Sequence, residues 1–182
     1  DMMNLSGGMA FIALLDRTPA LQERLLAGRY PQLNYAYATF ILDGFTPGGR
    51  RPDLARKHFS VSSGQGHAPS MLRMALMLDY GLGGPVDRNA ALAMYEKAAG
   101  LGETGSALAL ARRYEAGDGV AQDWDRAATY YDQVVANVLP GAAAGAIFGE
   151  MARGGGFWLD DGPGSALLDK WALAALKEVP KD

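Results

Sequence analysis

The chain has two histidines, His58 and His67, and they are the first residues to question for chemistry. A metal centre needs several ligands, and a nucleophilic triad needs a nucleophile and an acid beside the imidazole. Neither histidine stands in such a pattern. His58 follows Arg56 and Lys57 on an expected surface and His67 opens a helix, so both read as structural or solvated. Asp118, Asp123 and Asp125 lack the alternating spacing and closing glutamate of a calcium loop, and Asp87, Asp123 and Asp160-Asp161 read as helix caps. The glycine pairs Gly64/Gly66, Gly81/Gly83 and Gly117/Gly119 could be taken for phosphate cradles. They fall between helices and lack the Gly-Lys-Ser/Thr that holds a phosphate, so they read as turns. Cysteine is absent, which excludes disulfides, thiolate catalysis and cysteine-bound zinc. No catalytic residue, metal ligand or cofactor is assigned, and the chain is read as not an enzyme.

What remains are side chains suited to contact. Arg50, Arg51, Arg56 and Lys57 make the densest basic patch; it would suit an acidic partner or sugar acid, or be a solvated face. Met71, Met74 and Met77 recur at spacing three, as core filling or as an adaptable binding stripe. Trp124 and Phe157-Trp158 are candidate interface anchors or end closures.

The elements that position these residues repeat. Ala91, Tyr95, Ala98 and Ala99 recur thirty-six positions later as Ala127, Tyr131, Val134 and Val135, and the same offset joins Asp87 to Asp123, Gly81 to Gly117 and Gly83 to Gly119. A fixed period of this size means stacked helical hairpins, because one hairpin cannot bury its apolar face alone. Leu72, Ala75 and Leu78 mark the first helix of the clearest unit, which glycines and Pro85 end; Asp87 caps the second. Leu108, Ala111 and Tyr114 repeat that face. A weaker copy precedes, with Asn34 to Asp43 as first helix, Gly44 to Pro52 as turn, and Ala55 and Phe59 on the second. Another follows, with Ala144, Ile147 and Trp171. The reading is a single domain over 1–182: an N-terminal cap over 1–30, with helices around Met9 to Leu15 and Leu21 to Ala27 behind Thr18-Pro19, then repeats over 31–66, 67–102, 103–138 and 139–178.

Composition agrees with a folded chain. Of 182 residues, 49% are hydrophobic and 20% charged, with a formal net charge of −3. That charge gives no reason to expect nucleic acid or an anionic membrane as partner. No apolar run reaches the roughly 18 residues that span a bilayer.

The string Ala107-x2-Leu110-Ala111-x2-Tyr114-x2-Gly117-Asp118-Gly119-Val120-x2-Asp123-x3-Ala127-x3-Tyr131 resembles the SEL-one-like repeat, a relative of the tetratricopeptide repeat. The match is specific over about 67 to 138, degenerate over 33 to 66 and 140 to 177, and absent from 1 to 30. Gly84-Pro85 and the glycine-rich fourth turn depart from the pattern. The resemblance implies an all-α, α/α right-handed superhelix of about four hairpins that contacts other proteins and carries no catalytic residues. It also implies a bacterial envelope or periplasmic setting as regulator, scaffold or immunity protein. The expected partner is therefore another protein, held on the wall formed by the first helix of each hairpin, with Arg51, Arg73, Met77, Arg113 and Trp158 as contact residues. A glycan or peptidoglycan module is the alternative; it requires exposed aromatic residues along a groove.

Overall fold

Eight α-helices account for the regular structure of the described residues, with no strand among them: α1 (Met2–Arg17), α2 (Pro19–Ala27), α3 (Pro31–Asp43), α4 (Pro52–Gly64), α5 (Ala68–Tyr80), α6 (Arg88–Gly100), α7 (Thr104–Ala116) and α8 (Trp124–Val138). This computed structural model describes residues 2–138, and side chains over 10–137. Contacts divide the chain into two compact units between Glu103 and Thr104. The expected fourth repeat, 139–178, lies outside the described residues.

In the first unit α3 pairs with α4 and α5 with α6, while α4 packs on α5. The helices α1 and α2 precede these hairpins, and α1 is longer than the Met9 to Leu15 segment. Pro19 stands in the first turn of α2, where its missing N–H costs nothing; Thr18 precedes it but makes no side-chain capping bond. One apolar cluster joins the cap to the first hairpin: Ile12 and Leu15 from α1, Leu25 from α2, Tyr37, Ala38 and Ile41 from α3, Ala55 and Phe59 from α4, and Met77 from α5. In the second hairpin small side chains at Ala75, Ala91, Ala98 and Ala99 are buried, which lets the helices approach closely, and Tyr95 fills the remaining space.

The second unit repeats this plan in α7 and α8. Ala107, Ala111, Tyr114, Ala127 and Tyr131 are buried where Met71, Ala75, Leu78, Ala91 and Tyr95 are buried thirty-six positions earlier. The backbone repeats as well. Asp87 N–H donates to Leu78 O at 2.9 Å, and Asp123 N–H to Tyr114 O at 2.8 Å. Both aspartates cap as expected: Asp87 Oδ1 accepts from Ala90 N–H at 2.9 Å, and Asp123 Oδ1 from Arg126 N–H at 3.0 Å.

The first hairpin departs from the period. Eight residues separate α3 from α4, whereas seven separate α5 from α6 and α7 from α8. The extra residue shifts α3 by one, so Ala38 and Ile41, not residues 39 and 42, match Ala75 and Leu78. Arg51 takes the cap position held later by Asp87 and Asp123, and makes no capping bond.

Candidate functional site

The expected contact residues fall in both units, and each is taken within its own. Met77 is a correction: it is 1% exposed and packs in the core cluster, not on a partner-facing wall. Its place follows from helix geometry, since Met77, Leu78 and Met71 flank the stripe centred on Ala75, which faces the neighbouring helices. Arg73 is half-buried on α5 and has no ion-pair partner among the described residues. Arg113 is half-buried on α7, its guanidinium against the Gly119 turn. Trp158 lies outside the described residues.

Arg51 is tied to the interior of its own unit. Its Nη2 donates to Asp16 Oδ1, and to Thr46 Oγ1 at 3.2 Å. Asp16, at the end of α1, also accepts from the Tyr37 hydroxyl at 3.2 Å and from Gly48 N–H at 2.8 Å. Its side chain is 3% exposed, so the carboxylate is held by one cation and two neutral donors in place of water. The other arginines of the basic patch are similarly engaged. Arg50 Nε donates to Leu42 O at 2.8 Å, and Arg56 grips the α5–α6 turn through Pro85 O, at 3.2 Å from both Nη atoms. Lys57 alone of the four projects from an exposed position without such a bond among the described residues.

Sequence reasoning placed His58 on a surface; it is fully buried. Asn34 donates both amide hydrogens, to Leu25 O and Tyr30 O at 3.1 Å each, so its Oδ1 accepts, and His58 Nδ1 at 2.7 Å carries the hydrogen. His58 Nε2 is then an unprotonated buried atom with no partner. Burial lowers the imidazole pKa to about 4, so the ring is neutral at pH 7. Tyr37 packs edge-on against it, 4.9 Å between centroids, and burial pushes the Tyr37 hydroxyl up to about 12.

His67 heads a second chain of hydrogen bonds. Ser62 Oγ donates to Pro31 O at 2.8 Å, so Ser70 Oγ donates to Ser62 at 2.6 Å and accepts from His67 Nδ1 at 2.8 Å. Every hydroxyl hydrogen is spent on a fixed acceptor, and Ser62 and Ser70 are fully buried. This arrangement braces α3, α4 and α5; it presents no nucleophile to solvent. Among the described residues no group of acidic, histidine or cysteine side chains is arranged to hold a metal ion. No helix among them is long and apolar enough to cross a membrane.

One groove in the first unit combines charge with apolar surface. Leu26 of α2, Val61 of α4 and Met74 of α5 line it beside Asp53, Arg56, Lys57 and Ser60 of α4, enclosing about 500 Å³. Sequence reasoning missed it, because Leu26 and Met74 stand far from Lys57 along the chain. A second hollow, about 460 Å³, lies among α1, α2 and α3 and is lined by Phe11, Leu21, Arg24, Leu25, Tyr30 and Leu33.

The model of the Sel1 repeat matches residues 68–103 and 105–133. No curated protein matches the chain. Among solved structures, a Sel1 repeat protein from Oxalobacter formigenes is similar, with 24% identity and a TM-score of 0.57 over 65% of this chain and 90% of that one. A protective antigen present in uropathogenic Escherichia coli strains, which displays an SLR fold, has 23% identity and a TM-score of 0.59. That match covers 84% of this chain and 31% of the antigen. Residues 68–103 and 105–133 thus carry two Sel1 repeats, the hairpins α5–α6 and α7–α8, in which backbone bonds recur at thirty-six residues, and the described residues share the helical fold of those solved structures.

Proposed function

We propose that this protein is a non-catalytic scaffold that holds another protein through side chains of the first helices of its hairpins. Sel1 repeats act generally in protein–protein interaction, and their scaffolds are typically non-catalytic. The observation that carries the reading is the division of labour along α5 and α7. Met71, Ala75 and Leu78, like Ala107, Ala111 and Tyr114, are buried and repeat in position, whereas Arg73 and Arg113 stand half-buried outside that shared core and do not repeat in type. A preformed helical face binds with little loss of conformational freedom, and residues that vary between repeats supply specificity. A bacterial envelope or periplasmic setting, as regulator, scaffold or immunity protein, belongs to the same proposal and rests on the repeat family alone.

The test is affinity capture from the source cell with the full chain, with Arg73→Glu and with Arg113→Glu, each first shown by circular dichroism to keep its helicity. The expected result is a protein captured by the parent chain and lost with at least one variant. Identical capture by all three would reject these residues as the contact surface. Glycan binding is the second class; it would appear as a thermal shift with peptidoglycan fragments and an unchanged capture profile.

A further inference from the structure

We propose that the groove along α4 is a second docking surface, which takes an extended acidic peptide segment with an apolar residue beside its carboxylate. The inference rests on the interaction reading above but uses a different face and different residues. Three features of the groove point to that occupant.

The first is charge. Lys57 is exposed and has no carboxylate bound to it among the described residues. Arg56 is held by the backbone carbonyls of the α5–α6 turn, which orient its guanidinium without neutralising it. A carboxylate entering here would meet two cations, one already fixed in place and so losing little freedom on binding. The second is the apolar lining. Leu26, Val61 and Met74 are each half-buried and share the groove with these cations, so an apolar side chain next to the carboxylate gains contact in the same step.

The third feature is shape. The α4 residues that line the groove run from Asp53 to Val61, which at about 1.5 Å per residue makes a strip about 12 Å long. An extended chain covers that length in about four residues, at about 3.3 Å each. A strip of this form suits a peptide better than a compact small acid. Asp53 also fixes the register. It lies in the first turn of α4, at one end of the strip, where a carboxylate repels a second anion, so the acidic residue of the ligand sits over Arg56 and Lys57, and a neutral or basic residue sits over Asp53.

The probe is a set of fluorescein-labelled heptapeptides in which Asp or Glu alternates with Leu or Phe, with Asn/Gln and Lys counterparts of the same sequences. Fluorescence polarisation is read against the full chain at about 50 mM and about 500 mM salt. The expected result is saturable binding of acidic peptides only. Lys57→Glu weakens it about tenfold, Asp53→Asn leaves it unchanged or stronger, and added salt weakens it. Labelled methyl spectra show the Met74 signal shifting on titration, and Arg73→Glu binds as the parent chain does, which separates this groove from the first-helix face. The proposal is overturned if no acidic peptide binds, if the amide counterparts bind equally, or if Lys57→Glu has no effect. It is also overturned if an oligouronate binds with the Lys57 dependence and the peptides do not, which would assign the groove to sugar acids.

Discussion

The hydroxyl of Tyr131 donates to Glu115 Oε2 at 2.5 Å, across the hairpin formed by α7 and α8. Thirty-six residues earlier Tyr95 donates to Asp79 Oδ2 at 3.1 Å across α5 and α6. The first hairpin has neither partner: Leu42 and Phe59 occupy the corresponding places once the extra turn residue is allowed for, and both pack with the core cluster. The position thus accepts a hydroxyl with a carboxylate or two apolar groups, a pairing that keeps buried polar groups matched.

Breaking only one member of the pair should be costly. Tyr131→Phe is expected to destabilise the chain by about 2 kcal/mol, because buried Glu115 loses a donor, and Tyr95→Phe by about 1 kcal/mol, because Asp79 is less buried. The combination Glu115→Leu/Tyr131→Phe, which copies the first hairpin, should lie within about 1 kcal/mol of the parent chain. Urea unfolding of these three variants and of Glu115→Leu alone measures this. A double variant whose loss equals the sum of the single ones would show that the two groups are not coupled.

The buried imidazole makes stability fall in acid. The pKa of His58 is near 4 when folded against an ordinary 6.5, so the unfolded chain takes up the proton first. The contribution is present above pH 6.5 and is lost as pH falls through 4, with a full size of about 3 kcal/mol at about 1.4 kcal/mol per unit. Burial lowers His67 as well, with the same sign. Tyr37 acts at the other end. Its folded pKa of about 12 exceeds the ordinary 10, so its contribution is complete below pH 10 and fades as pH rises through 12. Nitrogen-detected imidazole spectra should show His58 neutral and protonated at Nδ1 at pH 5; a charged ring at pH 5 would contradict this environment.

Asp16 and Arg51 hold α1 to the α3–α4 turn. Arg51→Ala leaves a carboxylate that is 3% exposed facing only the Tyr37 hydroxyl and Gly48 N–H. A loss of about 2 kcal/mol is expected, less than for a wholly buried pair because Arg51 itself is 30% exposed. Asp16→Asn/Arg51→Ala together should recover part of it. Hydrogen exchange should quicken first in α1. Unchanged exchange in α1 would mean the ion pair does not hold it.

Gly83 is required by close packing as well as by backbone conformation. Its φ is +70°, and an added Cβ would sit 2.2 Å from Pro52 O at the start of α4. Gly49 has a similar φ of +69° and open space around it. Gly49→Ala should therefore cost about 1 kcal/mol, from the left-handed conformation alone. Gly83→Ala should cost about 3 kcal/mol or more, because the turn must move off α4. Thermal unfolding of the pair, with equal losses, would remove the packing argument.

The parts of this fold legible in the sequence are those governed by neighbours along the chain. The Asp87 and Asp123 caps, the turn glycines and the alanine and tyrosine faces of α5 to α8 follow from local spacing. The first hairpin is less legible because its turn holds one more residue, which displaces α3 by one against a strict thirty-six count. His58 looked solvated beside Arg56 and Lys57, yet it falls between Ala55 and Ser62 at helical spacing, on the buried face. That spacing was the available signal. Asn34, which makes its burial tolerable, lies twenty-four residues away and follows no repeat. The basic patch narrows to Arg56 and Lys57 for the same reason: Arg51 finds Asp16 thirty-five residues off, and the Arg56 guanidinium is oriented, not neutralised, by Pro85 O twenty-nine residues off. No local pattern announces partners at that distance.

The central claim is that first-helix residues outside the shared core meet a partner protein. A photo-reactive benzophenone side chain placed in turn at Arg73, at Arg113 and at exposed Glu96 of α6, in the full chain and in the source cell, tests it most directly. The account predicts discrete protein adducts from position 73 or 113 and none from position 96. Adducts from position 96 alone, or from none of the three, would contradict it.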